Sequence, residues 1–140
     1  MESLRQLVYA SAATRSLRDP ELLAIVEAAR ARNAELDVTG MLLYAEGAFV
    51  QVLEGEPKTV EKLLRRIRRD ERHRRFLILL DRMTDERAFE GWSMGFQQVT
   101  LQEIDQIAGY YDWSVEMPTR RRNAAALRLI DSFRRVAALR

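Results

Sequence analysis

The stretch Met41-Leu42-Leu43-Tyr44-Ala45-Glu46-Gly47-Ala48-Phe49-Val50-Gln51-Val52-Leu53 decides how the chain is organised. Two apolar, β-favouring runs flank Glu46-Gly47, and a short glycine-containing connection between such runs predicts a hairpin of two antiparallel strands. One residue breaks the pattern. Alternate strand residues share a face, so Gln51 lies with Phe49 and Leu53 and sets an amide into a mostly apolar surface. A buried amide must find partners or cost about 1–3 kcal/mol.

Upstream, Asp37-Val38-Thr39-Gly40 breaks a helix whose apolar positions Leu22, Ile25, Val26 and Ala29 recur at helical spacing, and the same stripe then lands on Asn33. Asp19 reads as the N-cap of that helix and Pro20 as part of its first turn. Before it, Leu4 to Ser11 reads as a buried strand on which Tyr9 and Ser11 share a face. Downstream, Glu54-Gly55-Glu56-Pro57 turns into a second amphipathic helix, with Val60, Leu63, Leu64 and Ile67 inside and Arg65, Arg66, Arg68 and Arg69 outside. Phe76-Leu77-Ile78-Leu79-Leu80 predicts a strand too apolar to have a wet face, and a last strand runs from about Trp92 to Val99.

Strand, helix, strand, strand, helix, strand, strand is the order of an α+β, ferredoxin-like βαββαββ chain. It is the split βαβ pattern with one extra strand, placing two helices on one face of a mixed sheet. Residues 1–100 make this core. Residues 101–140 form a helical extension, an interface or relay, with a short helical segment, a loop around Met117-Pro118 and a final helix. Ala126, Ile130, Phe133 and Ala137 form one stripe of that helix, expected to cover the sheet face opposite the first two helices.

A chain of 140 residues, 47% apolar, suffices for one buried core and leaves little room for a second domain. Cysteine is absent, which excludes disulfides, thiolate metal sites and cysteine nucleophiles. His73 is the only histidine, and no Ser-His-Asp set, metal-ligand spacing, P-loop or G-x-G-x-x-G is present. An enzyme would have to work with carboxylates, arginines and amides alone. The formal net charge of +2 is too mild to predict a nucleic-acid partner, despite the local clusters Arg72-His73-Arg74-Arg75 and Arg120-Arg121-Arg122. No signal peptide and no apolar run of membrane-spanning length is apparent, so no membrane partner and a cytoplasmic location are expected.

Taken singly, Tyr9 reads as a core aromatic, Asn33 as a helix cap and Gln51 as a residue on a solvated face. Three polar groups leading into one apolar pocket favour a polar, planar ligand. The stretches Leu7-Val8-Tyr9-Ala10-Ser11, Ala29-Arg30-Ala31-Arg32-Asn33 with Val38-Thr39-Gly40-Met41-Leu42-Leu43-Tyr44, and Gly47-Ala48-Phe49-Val50-Gln51-Val52-Leu53-Glu54-Gly55 resemble, in order, the signature segments of BLUF domains. Asp70-Glu71-Arg72-His73 and Trp92-Ser93-Met94-Gly95 extend the resemblance over roughly the first hundred residues.

The resemblance implies a blue-light photoreceptor, not an enzyme, that holds a flavin without a covalent bond: FAD, or FMN in some preparations. It places Asn33 on the polar edge of the ring, Arg32 near a ring carbonyl, and Gln51 between Tyr9 and the ring. Ile25, Ala29, Phe49 and Ile67 are its implied apolar walls. Arg72 and His73 match positions near the exposed end of the cofactor, or belong to a solvated basic run. Trp92 and Met94 match a pair that exchanges places near the glutamine and relays the signal, or they are plain core. It further implies a separate downstream signalling protein and a homo-oligomer. Two other readings stand beside it: a small phosphoryl hydrolase of the acylphosphatase kind, and a basic RNA-binding module.

Overall fold

The computed structural model describes residues 3–15, 17–108 and 118–138, without side-chain detail at 73 and 136–138. Met117 and the side chains of His73 and Ala137 lie outside the described residues. The elements are β1 (Leu4–Ala13), α1 (Asp19–Leu36), β2 (Thr39–Ala45), β3 (Ala48–Gly55), α2 (Pro57–Arg68), β4 (His73–Thr84), β5 (Gly95–Gln98), α3 (Leu101–Ala108) and α4 (Thr119–Ala138). The sheet order is β4-β1-β3-β2-β5. The first three pairings are antiparallel, and β5 joins β2 in parallel. This is the mixed ferredoxin-like sheet with one added strand that the order of elements predicts.

The hairpin forms where the sequence places it. Glu46 (φ 48) and Gly47 (φ 92) both have positive φ, the combination that a tight two-residue hairpin of the primed type requires. The Gly47 carbonyl accepts from the Ala13 N–H at 2.8 Å, fastening the hairpin tip to the end of β1. Each of β2 and β3 is buried along its whole length.

Strands β1 and β4 run longer than the sequence reading has them, to Ala13 and over His73–Thr84, and two further boundaries differ in ways that bear on the site. Arg18, not Asp19, is the N-cap of α1, and its N–H donates to Glu21 Oε1 at 3.2 Å. The acidic side chain at the third helical position reaches back to the cap, so Asp19 enters the first turn, where its charge suits the helix dipole. The last strand begins at Gly95 rather than Trp92. Of its expected first residues, Trp92 gives its carbonyl to the Gly40 N–H of β2 at 3.0 Å, while the next two bond to α1: the Ser93 carbonyl accepts from Asn33 Nδ2 at 2.9 Å, and the Met94 carbonyl from Arg30 Nε at 2.8 Å. Trp92 and Met94 therefore do not alternate along a strand, and they join opposite faces of the sheet. A Cβ on Gly95 would lie 2.6 Å from the Trp92 ring, so only glycine lets the indole lie there.

One core lies between the sheet and helices α1 and α2, built on Leu7, Tyr9, Leu22, Val26, Phe49 and Leu63. The other lies between the opposite face and α3 and α4, where Ala126, Ile130 and Phe133 bury against Val8, Val50 and Leu80. The apolar stripe of the final helix thus covers the face expected of it. A ten-residue crossover, residues 85–94, carries the chain from β4 at one edge to β5 at the other.

Ending the chain at residue 118 uncovers this second core, and an apolar face of several hundred Å² is rarely left bare in a monomer. The truncated protein is expected to elute larger than its mass or to aggregate; a monodisperse monomer by light scattering would contradict this account of α4.

Candidate functional site

Sheet register puts Ile78, Tyr9, Gln51, Leu42 and Phe96 side by side across all five strands. All five belong to the face beneath α1 and α2, and Gln51 is the one amide in an otherwise apolar and aromatic row. It is only 4% exposed, which rules out a solvated face. The Tyr9 hydroxyl donates to Gln51 Oε1, and Gln51 Nε2 approaches Met94 Sδ at 3.5 Å, a weak sulfur contact. The amide is thus held between a phenol on the neighbouring strand and a thioether brought by the crossover.

A cavity opens above this row, between the two helices. Tyr9, Ile25, Ala29, Arg32, Phe49, Gln51, Ile67 and Arg72, all singled out from the sequence, line it together. Ala28, Leu42 and Asp70 complete the lining and escaped the sequence reading. Leu42 was legible in principle, since it lies one strand over from Gln51 in the hairpin register. Ala28 and Ala29 project only methyl groups from α1, leaving a low apolar wall opposite Phe49 and Ile67. Apolar walls with a few convergent polar groups are the general character of a site for a flat, amphipathic ring.

The titratable groups differ in their surroundings. Burial pushes the Tyr9 phenol above its ordinary range, with Asp70 adding to the effect and Arg32 opposing it, so the hydroxyl keeps its proton. Burial likewise lowers the half-buried Arg32 guanidinium, and the charges of Arg66 and Arg72 act the same way. An arginine remains charged under such shifts. Its Nε reaches Asn33 Oδ1 only at 3.5 Å, a long hydrogen bond. Arg72 is gripped by Asp70, which accepts from its Nε at 2.9 and 3.0 Å, and that bond raises the Arg72 pKa. A positive mouth above an apolar floor suits an amphipathic ligand with an anionic end.

Two candidates, Asn33 and Trp92, lie elsewhere. Asn33 is fully buried, but its amide nitrogen is engaged by Ser93, and it borders a separate depression with Asp37, Arg87 and Glu90. Trp92 is half-buried on the opposite face, leaving Met94 as the member of the pair beside Gln51. Phe76, not singled out from the sequence, stacks on Tyr9 with ring centroids 4.3 Å apart, and the Arg68 guanidinium lies 4.9 Å above it.

The chain is similar to known proteins. The photoactivated adenylate cyclase subunit beta of Euglena longa is 40% identical over 93 residues, 66% of this chain and 11% of the relative. The blue light- and temperature-regulated antirepressor BluF of Escherichia coli (strain K12) is 33% identical over 108 residues, 74% of this chain and 26% of the relative. The chain therefore spans a tenth to about a quarter of these curated relatives. Among solved structures, the BLUF protein BlrB in its dark state matches with a TM-score of 0.77 at 27% identity, over 97% of this chain and 98% of that one. A family model described as sensors of blue-light using FAD matches residues 4–95. With well over half of its length matched, the chain belongs to the BLUF family, sensors of blue light that use a flavin.

Proposed function

We propose that this domain turns absorption of blue light into a rearrangement of the hydrogen bonds around Gln51, and passes that change to a separate output protein. The observation that carries the reading is the buried line Tyr9–Gln51–Met94, whose first two members line the cavity. FAD is the cofactor we assign, held by the apolar walls Ile25, Ala29, Phe49 and Ile67, with Arg32 toward a ring carbonyl and Arg72 toward the phosphates. Asn33 lies outside the cavity lining, but its Oδ1 is beside the cavity residue Arg32 at 3.5 Å, and we assign that oxygen to the polar edge, its nitrogen being committed to Ser93.

When bound, the flavin supplies the blue absorption band and an excited state that accepts an electron. Tyr9 gives up that electron together with its hydroxyl proton, and Gln51 Oε1 is the atom its O–H already addresses. As the electron and the proton both return to Tyr9, the amide relaxes turned about its terminal torsion or as its tautomer. With a flavin bound, the turned amide would donate to it more strongly and would move its absorption to the red. Met94, in contact with Gln51 Nε2, feels the turn directly, and the crossover carries it toward α3 and α4. Helix α4 then serves as the relay or interface for the partner and for self-association.

Gln51→Leu is expected to give a yellow protein with no red shift after blue illumination, whereas the native chain shifts slightly to the red. An unshifted native spectrum would sink the photoreceptor reading, and a normal shift in Gln51→Leu would sink the role of the amide. A colourless protein with phosphoryl hydrolase activity would favour the acylphosphatase alternative.

The Tyr9 proton has a pH signature. A phenol whose pKa is raised on folding contributes stability that is fully present below about pH 10, the ordinary tyrosine value, and is lost as pH rises through the folded pKa. Thermal melts between pH 8 and 11 are expected to fall less steeply for Tyr9→Phe than for the native protein. Identical slopes would contradict a buried, protonated Tyr9.

A further inference from the structure

Arg82, Gln6, Glu54 and Thr39 occupy directly opposed positions on β4, β1, β3 and β2. They form a polar row across four strands, on the sheet face opposite the cavity, where aliphatic side chains would pack. Glu54 is fully buried at 0% exposure, Gln6 at 1%. A carboxyl in such a place is costly unless its oxygens are bonded, and each oxygen accepts two donors. Oε1 accepts from Thr39 Oγ1 at 3.1 Å and from the Phe89 N–H at 3.0 Å. Oε2 accepts from Gln6 Nε2 at 2.7 Å and from the Ala88 N–H at 2.8 Å.

The row is directional from both ends. Arg82 Nε donates to Gln6 Oε1 at 2.8 Å, leaving the Gln6 nitrogen for Glu54. Arg87 Nη1 donates to Thr39 Oγ1 at 2.9 Å, leaving the hydroxyl proton for Glu54, and also to the Glu54 carbonyl at 3.2 Å. Its other nitrogen holds the Asp37 carbonyl at 2.9 Å, at the end of α1. Arg87, Ala88 and Phe89 all belong to the crossover. Crossing from edge to edge of the sheet, this segment has no strand partner for its amides there, and Glu54 takes two consecutive ones. A few residues on, the same segment gives its Ser93 carbonyl to Asn33 and its Met94 sulfur to Gln51.

We propose that Glu54 is a positioning residue for the photochemical switch: it anchors the crossover that presents Ser93 and Met94, and so sets how readily Met94 returns to Gln51 after illumination. The inference rests on the reading of Gln51 as the switch. Glu54 touches neither Gln51 nor the cavity lining; it acts through the backbone between residues 88 and 94. Loosening that backbone weakens the contact that draws the amide back to its dark arrangement, which slows recovery.

The test uses the flavin-loaded full chain and two readouts: hydrogen exchange of the Ala88 and Phe89 amides in the dark, and thermal recovery of the red-shifted absorption after blue light. Glu54→Gln sets an amide nitrogen against one pair of donors. Thr39→Val keeps the shape but removes the hydroxyl link, and Thr39→Ser restores it. In Glu54→Gln and Thr39→Val, exchange is expected to rise about tenfold, as for loss of a hydrogen bond. Recovery is expected to slow about fivefold or more, the lower end of coupling between sites, with flavin occupancy and the size of the shift retained. Thr39→Ser is expected to recover at the native rate. Faster exchange with native recovery would overturn the proposal by making Glu54 purely structural, and native values in both readouts would overturn it outright. If Glu54→Gln does not fold, the two Thr39 variants decide by the same criteria. A native protein without any red shift would instead overturn the photoreceptor reading, while the exchange arm would still report whether the row anchors the crossover.

Discussion

An amide in the middle of an apolar sheet face has donors and an acceptor that nothing aliphatic can satisfy. Gln51 is such a group, central in the strand order and nearly sealed from solvent. Its oxygen is answered from the strand on one side, by the phenol of Tyr9. Among the described residues its nitrogen approaches only the soft sulfur of Met94. The amide is thus well bonded at one end and weakly bonded at the other. Under the proposed function, that asymmetry is what leaves the amide able to turn.

The two faces of the sheet divide the work, and the crossover joins them. Helices α1 and α2 roof the cavity, while α3 and α4 cover the far side. Residues 85–94 touch both: Phe89 and Trp92 pack with the far core, Met94 with the near one. The segment is held by side chains from α1 at one end and by the buried carboxyl of Glu54 at the other.

Much of this was legible in the sequence because it rests on short-range periodicity. Two-residue alternation around Gln51 and Tyr9, and the helical stripe ending at Asn33, identify polar groups on buried faces, and all three are buried. Hairpin, helices and sheet class follow from the same patterns. What failed depended on partners distant in sequence. Trp92 to Met94 has strand-like composition, but α1 side chains claim the carbonyls of Ser93 and Met94, which no local pattern announces. Glu54 reads as the start of a polar turn. Its burial follows from a register that brings Gln6, Thr39 and Ala88 to it from three other segments. The helix cap is a local exception: Arg18 displaced Asp19 because Glu21, three residues on, supplied the acceptor.

The position of β1 has a consequence for how the protein assembles. It is an inner strand, yet its neighbours are β3 and β4, and the Gln6 side chain meets partners 48 and 76 residues away. Closing such loops costs chain entropy before any packing compensates. The β2–β3 hairpin, local and tightly turned, is free to form early on the microsecond scale of such elements. The cavity, by contrast, draws on β1, β2, β3, both flanking helices and residues 70 and 72, so it exists only once the longest loops have closed. A ligand for that cavity meets a binding site only in chains that have finished folding, and by mass action it holds them there.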